Sequence, residues 1–576
     1  MRAYGDGGLF AERGNRGRPG VGGDAMKGLG VVLLATAGMV GLAQAAGAPA
    51  ATQAPPVSDK PNCWASFSSW LNASASDCPI GAYGVTLYGT LDLGYGYQEW
   101  GTAPGPASYK ANYGLSKSSH EHIWQPAYNG LSISTLGVKI KEDVLPYGWS
   151  LIGVADAGFN PLSGELTNGP RSLANNNLAS ANGVSVVTIN GKKLPIYNSW
   201  QTTNFDTSRA GQWDNGQGFV GVSNKTWGAL TFGRVNSLSF DSQAKYDPVA
   251  SQAFSLIGVP AYAGFGTTAL ARLNTGVTYR VSIPNVGPLD SLRLAGQFQI
   301  GGYGLGNGSN GAYYGQAGFD WGNLSFDGVV GWAKDGVSLA TFGGGVTTCG
   351  LDYRLILVNN ACYDPNAILK ATLSNNAGTE LMASYKWDRF KFYAGYIYAK
   401  VMNPSDAELT GFQTIASGIF VPAGSWNKGV YANSAITSSG YTFNKILQTI
   451  WLGARWSIRD DLDLAAGFYY QSQNDYNFSV SATGAATRAA CTGTGAFISS
   501  NKCAGSQDAI SFLADYKPVK RVDLYAGVMV SNVFGGLANG YWNYQWIENP
   551  VTRTIVTTQH AFTQNVAPTA GLRIRF

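Results

Sequence analysis

The chain has 576 residues, 13% of them charged and 12% aromatic, with 76 glycines and a formal net charge of +5. Ordinary soluble domains carry about 25% charged residues and roughly 7% glycine, so an average cytosolic enzyme is excluded. No Lys/Arg-rich stretch sits in the body of the chain, which argues against nucleic acid as a partner, and a mean hydropathy of −0.05 argues against a bundle of membrane helices.

The first feature in chain order is a targeting segment. Met26-Lys27 precedes an apolar run over residues 28–43, and Ala43-Gln44-Ala45 is a small-x-small cleavage pattern. The run is short for a membrane span. Residues 1–25 are polar and rich in Gly and Arg, which places the expected natural start at Met26 and the cleavage after Ala45. The mature chain is then exported, and residues 1–45 form no part of its fold.

Residues 46–84 read as a leader, Ala/Pro-rich and then PNCWASFSSWLNASASDCP. Trp64, Phe67, Trp70 and Leu71 suit one face of a short helix. The six cysteines fall in three neighbouring pairs, Cys63 and Cys78, Cys349 and Cys362, Cys491 and Cys503. In an exported chain such pairs read as local disulfides, although six cysteines allow many pairings. Without CxxC, no zinc site is expected. The leader is read as a stapled periplasmic cap.

From Val85 the period becomes two. In VTLYGTLDL, Val85, Leu87, Leu91 and Leu93 alternate with Thr86, Tyr88, Thr90 and Asp92. One greasy and one polar face make a half-lipid, half-water strand. The pattern returns with Arg272, Asn274, Thr278 and Arg280 on one polar face, and with Ser291, Arg293, Gln297 and Gln299 on another. Sixteen such strands are expected, starting near Val85, Ser134, Trp149, Gly218, Ala229, Arg272, Leu289, Ala312, Asn323, Gly378, Phe390, Ile446, Asp461, Gln507, Arg521 and Val566. Short turns (KTWG at 225–228, RDD at 459–461) alternate with long polar loops such as 158–216 and 334–377. That asymmetry predicts an all-β transmembrane antiparallel barrel in an outer membrane, with short periplasmic turns and long extracellular loops. Residues 85–576 form the barrel in this reading.

Several segments resemble the general porins of Gram-negative bacteria. VTLYGTLDLGYGY (85–97) is similar to their first strand, LGVKIKEDV (136–144) to the second, FVGVSNKTWGALTFGR (219–234) to the fourth and fifth, and NTGVTYR (274–280) to the sixth. Pro146-Tyr147 departs from the usual Gly-rich turn, and the cysteine pairs are not general features of the family. The resemblance implies a homotrimer of sixteen-stranded barrels in outer-membrane lipid and lipopolysaccharide. It implies a third loop folded into each lumen, and a C-terminal Phe576 read by the barrel-assembly machinery. It also implies a constriction where acidic residues of that loop face basic residues of the wall. Matched motifs assign Lys139, Arg234 and Arg280 to the basic wall; strand parity adds Lys141, Arg272 and Arg293. Simple alternation puts Arg234 on the greasy face with Leu230 and Phe232, so a bulge near Gly233 is needed to turn it inward. Asp241 and Asp247 are expected on the acidic loop.

The function implied is passive diffusion of small hydrophilic solutes and ions, with weak anion preference from the excess of wall cations. The alternative is a channel selective for sugars or organic acids, in which Tyr88, Tyr393, Tyr469 and Tyr525 line a path. A barrel enzyme or a secreted adhesin ranks below both. His120, His122 and His560 all lie in loops, and no G-x-S-x-G, P-loop or H-E-x-x-H occurs. No catalytic residue, cofactor or metal is expected.

Overall fold

This computed structural model describes residues 63–98, 123–162, 164, 216–250, 253–257, 272–300, 311–340, 368–402, 443–476, 502–535 and 562–576, together with short strand pieces elsewhere. Sixteen strands close into one antiparallel barrel. They are β1 (Val85–Gln98), β2 (Ser134–Glu142), β3 (Trp149–Phe159), β4 (Gly218–Asn224), β5 (Gly228–Asn236), β6 (Arg272–Val286), β7 (Leu289–Gln299) and β8 (Ala312–Trp321). They continue as β9 (Leu324–Ala340), β10 (Ile368–Trp387), β11 (Phe390–Met402), β12 (Lys445–Arg459), β13 (Leu462–Gln473), β14 (Gly505–Val519), β15 (Val522–Gly535) and β16 (Phe562–Arg575). Closure comes from β1 against β16, with Leu91 opposite Ile574 and Leu93 opposite Leu572. Closure leaves no open edge, which in hydrocarbon would cost several kcal/mol per unpaired backbone group, of order 2–7.

The observed strand starts follow the alternation closely. The main difference is β10, which begins at Ile368, not near Gly378, and pairs with a β9 that runs on to Ala340. Residues 368–377 lack the apolar beat of the membrane stretch, so only their ladder to β9 identifies them as strand. A second irregularity lies on β1. Its upper half pairs with the short segment Ile123–Tyr128 and its lower half with β2. Residues 129–133 between them leave the ladder.

The faces are reversed relative to a soluble protein. Leu136, Val138, Ile140, Val220, Leu452 and Phe512 are exposed on the outside, where lipid covers them. Aromatic rings gather at both ends of this greasy band, as headgroup-level anchors do. Near the short turns, Trp387, Phe390 and Trp456 stack, with Phe390 and Trp456 centroids 5.5 Å apart. At the loop end, Tyr95 stacks on Trp124 at 6.0 Å and Phe298 meets Tyr313 at 5.0 Å.

The leader contains a short helix, α1 (Phe67–Asn72), capped by Ser66, whose Oγ accepts from the Ser69 amide at 3.0 Å. The Cys63–Cys78 disulfide closes it. Residues 80–82 then add a short strand to the foot of β1. Cys503 is disulfide-bonded as well. Cys349 and Cys491, the side chain of Cys362, and the segment 1–62 with its expected cleavage site all lie outside the described residues.

Candidate functional site: the barrel lumen

The chain leaving β5 does not cross over the rim. Ser237 caps α2 (Leu238–Tyr246), with its Oγ accepting from the Phe240 amide at 3.1 Å. This helix lies inside the barrel against β8 to β11. Its polar face, Ser239 and Gln243 one turn apart, bonds the buried Glu380 of β10 at 2.5 and 2.7 Å. Tyr246 and Lys245 reach Asp327 of β9 at 2.6 and 2.9 Å. Trp451 Nε1 of β12 donates to the Tyr246 carbonyl at 3.0 Å. The sequence alone does not announce this helix, because nine residues of mixed polarity give little periodicity.

Beyond α2 the loop follows the wall. Asp247 accepts from the Tyr469 hydroxyl of β13 at 2.8 Å. Pro248 passes so close to β12 that a Cβ on Gly453 would lie 2.4 Å from Pro248 Cγ; only glycine permits this approach. Arg455 donates to the Val249 carbonyl at 3.2 Å. Ala253 N then bonds the Gly130 carbonyl at 2.9 Å, and Phe254 meets the Tyr525 ring edge-on at 6.4 Å. Gly130 belongs to the stretch that leaves the ladder beside β1. Asp92 holds that stretch inward, accepting from the amides of Leu131 and Ser132 at 2.8 and 2.9 Å and from Tyr525 at 2.6 Å. The third loop therefore has anchors on most of the lumen's circumference.

The expected basic wall falls into two sets. Arg280 pairs with Asp241 at 2.5 Å, and Asn236 also donates to Asp241 at 2.8 Å. Arg293 bonds both Asp320 and Asp327, the latter at 3.2 Å, and the carbonyls of Phe319 and Phe326. These two charges are compensated. Lys139 stands 4.1 Å above the Tyr88 ring, and Lys141 is exposed near the short-turn end. Arg272 lies 5.6 Å from the Phe240 ring. Arg234 is buried, and its Nε donates to the Gly216 carbonyl at 2.8 Å. The β5–β6 ladder shifts register between Leu273 and Gly276, and the facing Gly233 has a φ of +131°. The irregularity gives Arg234 the parity of Asn236, whose side chain reaches the lumen loop.

The acidic residues do not sit together across open water. Asp241 is tied to Arg280, and Asp247 is sealed between loop and wall, where burial holds its carboxyl above the ordinary carboxylate range. Most of the lumen's acids come from the wall itself: Asp92, Asp156, Asp320, Asp327, Glu380 and Asp523. Each occupies an inward position of its strand, so parity could have found them. The four tyrosines are buried inward too, with Tyr88 on Asp156 at 2.7 Å, Tyr469 on Asp247 and Tyr525 on Asp92. Tyr469 and Tyr525 brace the third loop and its neighbour. Phe576 closes the ladder at the periplasmic rim, exchanging backbone hydrogen bonds with Gly89 at 2.9 and 3.0 Å. Among the described residues no group of His, Cys, Asp and Glu could hold a metal ion.

A family model described as Gram-negative porin matches residues 35–533. No curated protein matches the chain. Among solved structures, an anion-selective porin from Comamonas acidovorans is 12% identical, with a TM-score of 0.45, covering 85% of this chain and 99% of its own. OmpT, an outer membrane protein of Vibrio cholerae, is 14% identical with a TM-score of 0.43, covering 86% and 99%. OmpF of Salmonella typhi is 12% identical with a TM-score of 0.39, covering 85% and 97%.

Proposed function

The chain belongs to the Gram-negative porin family and forms an outer-membrane channel, and from that premise we propose that it passes small hydrophilic solutes and ions passively, with weak preference for anions and no catalytic role. One observation carries the ion preference. The lumen acids without an ion pair are sequestered: Asp92, Asp156, Asp247 and Glu380 are buried and occupied by hydrogen bonds. Several cations of the strands are more open. Lys139, Lys391 and Arg455 are only partly buried, and Lys141 and Lys386 are exposed. In a narrow, low-dielectric passage an accessible charge outweighs a buried, neutralised one.

The working unit in this proposal is a homotrimer in outer-membrane lipid and lipopolysaccharide, inserted by the barrel-assembly machinery through a signal ending at Phe576. Arg280 with Asp241 holds the loop at the constriction, while Lys139, Lys141, Arg234, Arg272 and Arg293 line the basic side and Asp247 locks the loop where it leaves α2. Single-channel recording of the folded protein in a planar bilayer under a KCl gradient tests this. Stepwise openings in groups of three and a reversal potential of anion sign are expected. Folded protein without conductance would overturn the channel, and a cation-sign potential would overturn the preference.

A further inference from the structure

We propose that Lys386, Lys391 and Arg455 form a lumen site, on the periplasmic side of the third loop, for small polyanions: solutes carrying two or more closely spaced carboxylate or phosphate groups. The inference rests on the channel reading and adds a place and a solute class to its ion preference.

The three cations form one row by register. Lys386 of β10 stands directly opposite Lys391 of β11, and Lys391 stands directly opposite Arg455 of β12. Neighbouring strands lie about 5 Å apart, so the row spans about 10 Å. All three hold inward positions. Met382, Ser384, Tyr393 and Trp451, which share their faces, are buried inside the barrel, whereas the alternate residues Tyr385, Trp387, Phe392 and Trp456 are exposed toward lipid. The row itself is open to solvent: Lys386 is exposed, and Lys391 and Arg455 are only partly buried. Lys386 and Lys391 flank the short turn at 388–389. The Arg455 guanidinium donates to the Val249 carbonyl at 3.2 Å, so the site lies between the third loop and the periplasmic mouth.

The row lacks the compensation that other lumen cations have. Arg280, Arg293, Lys517 and Arg573 each pair with a carboxylate. Among the described residues Lys386, Lys391 and Arg455 make no ion pair, and Arg455 Nε has no hydrogen-bond partner. Lys391 also feels the positive charge of Lys245 on α2. Acids near the row are already engaged. Asp320 is held by Arg293, Ser291 and Ser325, and Lys517 holds Asp463 and Asp515. Like charges directly opposite one another on a sheet repel, and a bound counter-anion removes that repulsion.

The chemistry selects the solute. Ammonium groups and a guanidinium donate charge-assisted hydrogen bonds to carboxylate or phosphate oxygens. A monovalent anion neutralises one cation of the row and leaves two. A solute with two or three anionic groups inside the row's span engages neighbouring cations together, each contact raising the effective concentration for the next. Because the row faces water, its attraction is screened by salt and permits release.

The test uses the full-length folded protein in non-ionic detergent, with citrate and pyrophosphate as probes and acetate at equal ionic strength as the monovalent comparison. Calorimetric titration is expected to give a saturable isotherm for the polyanions and none for acetate, and bilayer recordings are expected to show saturable current block by the same solutes. Lys386→Gln with Lys391→Gln is expected to weaken binding by about tenfold or more, as the loss of two facing charges does. Lys225 and Lys520 are exposed in other short turns. Lys225→Gln with Lys520→Gln removes the same net charge and is expected to leave binding within about twofold of wild type. Binding of citrate alone would assign the row to polycarboxylates, and of pyrophosphate alone to phosphates. Binding of neither, or an equal loss in the two folded double variants, would overturn the proposal. Saturable binding to a barrel that conducts no ions would keep the site and remove the channel reading; conduction without binding would do the reverse.

Discussion

Glu380 holds the lumen helix through two hydrogen bonds and no counter-charge. Glu380→Ala leaves the Ser239 hydroxyl and the Gln243 amide facing a gap, at a cost of about 1–3 kcal/mol. Larger open-channel current fluctuations are expected, visible in single-channel noise, while Glu380→Gln keeps a carbonyl acceptor and stays near wild type. Arg280 poses the opposite case. Its loss frees the Asp241 carboxylate in the lumen. A released unit charge is worth on the order of 0.5–1 kcal/mol to a nearby ion, so Arg280→Ala is expected to move the anion-to-cation permeability ratio toward cations by about two- to fivefold. A reversal-potential measurement reads it, and an unchanged ratio would place the pair away from the ion path. Asp247 gives a pH dependence. Its folded carboxyl is raised by burial, so the neutral form is the one the sealed site favours. Loop docking is therefore expected to tighten as pH falls through the raised value toward the ordinary carboxylate range, and to loosen above it. Hydrogen exchange at residues 247–257 measures this, and Asp247→Asn should abolish the pH slope.

Among elements, the leader is the best isolated. Arg521, in the turn between β14 and β15, donates to the carbonyls of Trp70, Ser74 and Cys78 at 2.8, 3.1 and 2.6 Å and stacks over the Trp70 ring at 4.1 Å. Arg521→Ala is expected to free α1, seen as faster exchange and easier proteolysis over residues 63–78, with the barrel itself still heat-modifiable on gels. No change in leader protection would mean that its short strand at residues 80–82 suffices. The lumen helix and the leader differ in how they can be foreseen. Aromatic spacing and paired cysteines mark α1, whereas α2 is defined by Glu380 and Asp327, whose sequence positions lie about 140 and 80 residues away.

Over the whole molecule, the barrel is readable because lipid and water impose opposite demands on alternate residues. Leu87 and Leu93 out, Thr90 and Asp92 in, is a rule that holds without knowing the partner strand. It weakens where that contrast ends, as at residues 368–377, which are strand beyond the greasy band. The lumen is harder. Alternation shows that Arg293 and Asp327 face inward but not that they meet, since the meeting depends on the β7–β8 and β8–β9 registers. For Asp247, charge suggests a solvated loop, and only the loop's path along the wall buries it. A wall acid such as Asp320 looks like any polar alternate until Arg293 is set beside it.

The grip of Arg521 on the leader also orders events in time. The disulfide joins residues 15 positions apart and can form as soon as the leader emerges, but the Trp70 carbonyl and Arg521 are separated by 451 positions. The leader thus waits, already stapled, for nearly the last hairpin to arrive. Its docking is a late signal that the start of β1 and the β14–β15 hairpin have come together, and protection of α1 during refolding can serve as a clock for the last stages of barrel assembly.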